Sequence, residues 1–228
     1  MSHTTSSWLA EAFAVFAKEW RTEFRTRYAL NTLGLFAITS LVVVSISLGP
    51  LGAATAERTT VMPVLLWVLL LFAVAAGLPR AFVHEEESRT ATALRLSATP
   101  SALFTGKLLY SWTVVLALEL IVTPLFVAMM HLPVANPGLL ALALVLGGYG
   151  LAAGGTLVAA IIAQARSSGT LFSVLALPVL LPLLVLAIEL SRAAIAGDFV
   201  PVVPRQLLLY DASVTVAGLL LFPAVWNP

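Results

Sequence analysis

Three carboxylates stand within or beside long apolar runs of this chain: Glu119, Glu189 and Asp211. A carboxylate at bilayer depth is costly to hold, so such an acid is by default a candidate for handling a proton, an ion or a polar substrate group. Glu119 is the deepest by position and should face a helix bundle or a wet cavity; structural and functional roles are equally open to it. Glu189 and Asp211 fall near the ends of their runs, where Arg192 and Arg205 could neutralise them. Those two read first as ordinary interfacial acids.

A second group of chemically active residues lies between Arg80 and Pro100. Glu85, Glu86 and Glu87 precede the helix formers Ala91, Ala93, Leu94 and Leu96, with Arg89 and Arg95 among them. This order predicts a short helix over about residues 84–98, its acids at the end where the helix dipole favours them. Thr99 followed by Pro100 is an N-cap and first-turn signal for the next helix. A charged helix between two spans offers a surface to a cytoplasmic partner; a solvated loop is the equally open alternative. Two nucleotide-like strings fail on inspection. Phe104-Thr105-Gly106-Lys107 has Ser101 where a phosphate-binding loop needs glycine, and Gly148–Ala153 sits in an apolar run with no strand before it.

Those glycines have another use. Gly150 and Gly154 are spaced Gly-x-x-x-Gly, with Gly147 and Gly148 one turn away. Small residues let helix backbones approach closely in lipid, so a packing face is expected here, within the chain or between two copies. Pro178 and Pro182 each remove a backbone hydrogen bond and should kink their helix.

The elements that must position these residues follow from composition. Of 228 residues, 60% are hydrophobic and 10% charged, with a mean hydropathy of +1.02. Soluble domains carry about a quarter of charged residues, so a soluble globular enzyme is excluded. No charge falls between Arg27 and Glu57, Arg58 and Arg80, Glu119 and Arg166, or Arg166 and Glu189. Each window can hold a bilayer span of roughly 20 residues. Six spans are expected, at about residues 31–48, 60–83, 100–130, 139–163, 171–190 and 206–226. The fold class is therefore an all-α integral membrane protein, a single domain over residues 1–228 with no segment that could fold as a catalytic domain. A net charge of +1 makes no case for nucleic acid, and the absence of cysteine excludes disulfides and thiolate chemistry.

Ahead of the spans, residues 7–27 form an amphipathic pattern. Leu9, Phe13, Phe16, Trp20 and Phe24 recur every three or four residues, with Glu11, Lys18, Arg21 and Arg25 on the other side. Such a helix suits the headgroup plane of a membrane; packing on a partner protein is the alternative. This charged, aromatic stretch is not a cleavable signal. Lys18, Arg21, Arg25, Arg27, Arg80, Arg89, Arg95, Lys107 and Arg166 fall on one side of the six-span topology, against Arg58, Arg192 and Arg205 on the other. That bias puts both termini in the cytoplasm. Residues 191–205, the longest outer connection, are expected to form a small surface helix.

Met62-Pro63 through Trp67, the acidic turn Phe82–Glu87, Leu94–Leu96, Thr99-Pro100 and Gly106-Lys107-Leu108 resemble the matching region of ABC-transporter permeases. More specifically, they resemble the haem exporter protein B family of cytochrome c maturation. Leu146–Gly150, Ala165–Gly169 and the Leu-Pro-x-x-x-Pro stretch Leu177–Pro182 resemble that family's second half. The resemblance implies an ABC-2-like permease subunit in the bacterial cytoplasmic (inner) membrane, paired with a separate cytoplasmic ATPase. It makes the helix at 84–98 a coupling helix, with Phe82, Glu85, Glu86, Glu87 and Arg89 at the ATPase contact. ATP would be bound by that subunit, and this chain would be no enzyme. Haem would be cargo, held mainly by a haem-binding membrane partner and passed to a haem chaperone, while this chain binds no cofactor firmly and works as a dimer or with two ATPase subunits.

His and Met can ligate haem iron, and Met129-Met130-His131 falls at the outer membrane edge. His131 nevertheless stands beside a turn containing Pro133, Asn136 and Pro137, with no second outward histidine, so an interfacial polar residue is the first reading. Three rival functions remain. One is an ABC-2-type permease for another amphipathic substrate. Another is an ion-coupled carrier using Glu119 and Asp211, for which symmetric halves with broken spans are lacking. The third is an assembly scaffold.

Overall fold

The computed structural model describes residues 7–48, 55–77, 99–164, 170–198 and 200–226. Seven helices carry these residues, and no strand occurs among them: α1 (Trp8–Thr26), α2 (Tyr28–Leu48), α3 (Thr55–Gly77), α4 (Pro100–Met129), α5 (Pro137–Gln164), α6 (Thr170–Ala196) and α7 (Val202–Trp226). The last six are each long and apolar enough to cross a membrane. Unlike α1, they are apolar on every side, as helices between lipid and bundle must be. Large side chains such as Leu35, Ile46, Phe72, Leu120 and Leu220 are exposed on their outer faces, where acyl chains surround them. The chain is a multi-pass membrane protein.

Local signals set the ends. Ser7 caps α1, its hydroxyl accepting from the Ala10 N–H at 3.3 Å, and Arg27 closes the helix in the left-handed region at φ 52°. Thr99 holds the expected N-cap position with Pro100 in the first turn, yet its side chain does not cap α4. Asn136 caps α5 by accepting from the Leu139 N–H at 3.0 Å, and its own N–H donates to the Ala194 carbonyl at 2.8 Å. That bond ties the α4–α5 turn to the end of α6.

Between the last two spans the boundaries differ from the sequence expectation. The fifth span does not stop at 190 but continues as α6 to Ala196, where Gly197 at φ +86° ends it. The sixth begins at Val202, four residues earlier than expected. Residues 191–205 thus hold no separate surface helix, because two long helices absorb most of them. α6 also runs without interruption through Pro178 and Pro182, both exposed. Near them the Tyr210 hydroxyl of α7 donates to the Val179 carbonyl.

α5 is the hub, packing against α3, α4, α6 and α7, while α1 lies on α4, and α2 on α3 and α4. The core holds Trp67, Leu70, Phe104, Phe126, Leu183 and Phe222, all buried. Trp67 donates its indole N–H to Ser191 Oγ at 2.8 Å, so its one polar atom is satisfied inside the bundle.

Candidate functional site

Two polar constellations stand out in this apolar bundle, one at each level. The first is the seam between α1 and the opening half of α4. Ala12, Val15, Glu19 and Glu23 form the buried face of α1. The aromatic stripe is split: Leu9, Phe13 and Phe24 are exposed, whereas Phe16 and Trp20 are half-buried against the bundle. Gly106 permits the approach: a Cβ there would lie 2.6 Å from the Ala12 carbonyl oxygen and 2.7 Å from Val15 Cβ. Across this contact Lys107 Nζ meets Glu19 Oε1 at 3.0 Å, and Lys18 meets the same oxygen at 3.1 Å. Tyr110 donates to Glu23 Oε2 at 3.1 Å, and Glu23 Oε1 accepts from the Leu30 N–H at 2.9 Å. Trp20 donates to Thr113 Oγ1 at 3.1 Å and stacks edge-on against Tyr110. At the helix start Glu11 accepts from both the backbone and the hydroxyl of Thr99.

Burial alone would push the Glu19 carboxyl up. Lys107 and Lys18 outweigh that, and they hold it below the usual carboxylate range. Glu19 is therefore an anion at neutral pH, bound to a lysine that is itself fully buried. Sequence reasoning missed this seam: it met Lys107 in a failed phosphate loop, in the basic-residue bias and in the family resemblance, never as a partner of α1. The available signal was spacing: Glu19 and Glu23 share one face of α1, as Lys107 and Tyr110 share one face of α4.

The second constellation lies deeper. Glu119 of α4 and Asp211 of α7 are both buried, and no oxygen of either carboxyl finds a hydrogen-bond partner among the described residues. Thr123 Oγ1, one turn beyond Glu119, and Trp112 Nε1, two turns before it, are likewise buried and unpartnered. Both acids rest on glycines of α5. A Cβ at Gly148 would lie 2.6 Å from both Glu119 oxygens, and one at Gly150 would collide with Asp211 and Leu183. Two residues apart means roughly 200° around the helix and ~3 Å along it. The acids thus flank α5 on opposite sides at nearly one depth. For Asp211 the interfacial reading is corrected: Arg205 is exposed and does not reach it. Glu189 does pair with Arg192, at 2.7 Å.

The other glycines face neighbours in the same chain. A Cβ at Gly147 would enter the Trp67 ring of α3, and one at Gly154 would lie 2.6 Å from Leu180 of α6. Around them Trp112 stacks edge-on on Tyr149, and Tyr149 shares a hydrogen bond with Thr215 at 2.9 Å. His131 is exposed in the α4–α5 turn at φ 49°, beside buried Met130. Phe82, Glu85, Glu86, Glu87 and Arg89, with the helix expected at 84–98, lie outside the described residues. No group of three metal-ligating side chains occurs among the described residues.

Comparison with known proteins covers nearly the whole chain. The family model described as CcmB protein matches residues 10–225. Heme exporter protein B of Pseudomonas aeruginosa is 32% identical over 214 residues, which is 92% of this chain and 91% of that one. The protein of the same name from Rhodobacter capsulatus is 31% identical over 187 residues, 81% and 84% of the two chains. That from Bradyrhizobium diazoefficiens is 29% identical over 164 residues, 72% of each. A bundle of six apolar helices behind one amphipathic helix, matched from end to end in this way, belongs to the CcmB protein family.

Proposed function

We propose that this chain is the membrane permease subunit of an ATP-driven ABC complex for haem export and handling in c-type cytochrome biogenesis. The observation that carries the reading is the match over residues 10–225, with relatives named heme exporter protein B at about 30% identity. A separate cytoplasmic ATPase hydrolyses ATP, and this chain turns its motion into release or transfer of haem on the extracytoplasmic side. Haem is cargo, held mainly by a haem-binding membrane partner before a haem chaperone receives it. The protein sits in the bacterial inner membrane with both termini cytoplasmic, following the nine-to-three bias of basic residues.

In this reading Phe82, Glu85, Glu86, Glu87 and Arg89 meet the ATPase. The seam supports a route for the motion, since α4 directly follows that stretch and carries Lys107, which clamps Glu19. A displacement of the stretch then moves α1 and the first half of α4 as one body. α4 rests on the hub α5 where Glu119 meets Gly148, so the displacement reaches the acid layer. Glu119 and Asp211 are the intramembrane groups that respond to it.

The test is purification from membranes with a coexpressed ABC ATPase subunit from the same organism. Wild type should retain that subunit, and Glu86→Arg should lose most of it. A wild-type protein that never retains an ATPase would sink the proposal.

A further inference from the structure

α1 divides into three sectors around its axis. At roughly 100° per residue, Ala12, Val15, Glu19 and Glu23 mark the face buried on α4. Leu9, Phe13 and Phe24 centre roughly 110° to one side and are 70%, 66% and 66% exposed. Arg21 and Arg25 centre roughly another 110° round. Both are exposed, as is Arg27 at the C-cap.

The seam also sorts charge. By sequence α1 and its cap are nearly balanced, with Glu11, Glu19 and Glu23 against Lys18, Arg21, Arg25 and Arg27. All three carboxylates are taken up by α4: Glu11 by Thr99, Glu19 by Lys107, Glu23 by Tyr110. None of the side chains of Arg21, Arg25 and Arg27 has a hydrogen bond or ion pair among the described residues. The surface left outside is therefore basic beside an exposed aromatic face, although the helix as a whole is not strongly basic.

We propose that this surface binds the phosphodiester headgroups of anionic lipids, with Arg21, Arg25 and Arg27 as the contacts and the Leu9, Phe13 and Phe24 face sunk into the acyl boundary. A planar guanidinium fork matches phosphate oxygens. A basic polar sector beside an apolar one is what holds a helix at a charged membrane surface. An acidic protein is the rival occupant. Lipid is favoured because the apolar sector matches the lipid-facing exposure of Leu35 and Ile46 on the neighbouring α2. Because α1 is ion-paired to α4, bound headgroups steady that span as well. This surface does not depend on the transport reading, and its test uses neither ATP nor haem.

The full chain is reconstituted in nanodiscs of phosphatidylcholine mixed with phosphatidylglycerol, and the lipids it keeps on release are counted by native mass spectrometry. Wild type should enrich phosphatidylglycerol, and R21Q/R25Q/R27Q should cut that enrichment on the order of tenfold or more. Arg205→Gln, at the opposite end of the bundle, should leave it unchanged. If the triple variant fails to fold, wild-type enrichment must still fall steeply with added salt. No enrichment by wild type, or enrichment indifferent to the three arginines and to salt, overturns the proposal. So does a triple variant that keeps its lipid but loses an acidic protein copurifying with wild type.

Discussion

Lys107 of α4 ion-pairs with Glu19 of α1 at 3.0 Å, deep in a helix contact that Gly106 opens by lacking a side chain. The pair joins α1 to the span that follows the charged interspan stretch. Lys107 and Glu19 are both buried, and the account of motion through this chain rests on their contact.

Removing one partner of a buried pair leaves an uncompensated charge, at a cost of about 3–5 kcal/mol. Lys107→Met should lower the melting temperature in detergent by several degrees, less than that full cost because the partly exposed Lys18 still pairs with Glu19. The double variant E19Q/K107M should recover a large part of that loss. Equal losses in the single and double variants would show that the two side chains do not act as a pair.

The same pair predicts a pH dependence. The Glu19 carboxyl titrates below its ordinary value of 4.5 because Lys107 and Lys18 favour its charged form. A depressed carboxylate contributes stability that is complete above the ordinary value and lost as pH falls through the folded one. Spin labels on Phe13→Cys and Leu120→Cys, in a chain with no native cysteine, should report α1 docked at pH 7 and released only below pH 4.5. Glu19→Gln should remove that acid transition.

Glycines on α5 divide into packed and open positions. Gly147→Ala drives a methyl into the rigid Trp67 ring, whereas the nearest atom to a Cβ at Gly138 is 3.5 Å away. Overpacking a filled core costs about 1–3 kcal/mol. Gly147→Ala should therefore lower thermal stability clearly, while Gly138→Ala leaves it unchanged or slightly raised. Thermal unfolding of the two variants side by side checks this.

Glu119→Gln and Asp211→Asn keep side-chain volume and replace a buried acid that has no described partner. Stability should hold or rise, because burying an unpaired ionisable group is costly. Cytochrome c assembly should fall several-fold in the same variants if the acid layer works in the cycle. Lower stability with unaffected assembly would make both acids structural.

Much of this architecture was legible in the sequence, and the physics says why. Lipid demands long uncharged runs, so the gaps between Arg27, Glu57, Arg58 and Arg80 delimit spans directly. The docking of α1 was not legible, because amphipathic spacing tells which side is apolar and not which side meets protein. Here Phe13 and Phe24 face outward while Glu19 and Glu23 face in. Asp211 was misplaced for a simpler reason. α7 begins at Val202 rather than 206, so the acid sits one turn deeper and beyond the reach of Arg205. The Gly147–Gly154 stretch signalled close packing, but only the fold assigns Trp67, Glu119, Asp211 and Leu180 to its several sides.

The central claim is that this chain serves haem delivery to c-type cytochromes. Its most direct test is a strain whose only copy of the gene is deleted, with covalently bound haem measured by in-gel peroxidase staining and b-type haem by difference spectra. The account predicts that c-type cytochromes disappear, b-type cytochromes persist, and a wild-type copy restores the former. Undiminished c-type cytochromes in the deletion strain would contradict it.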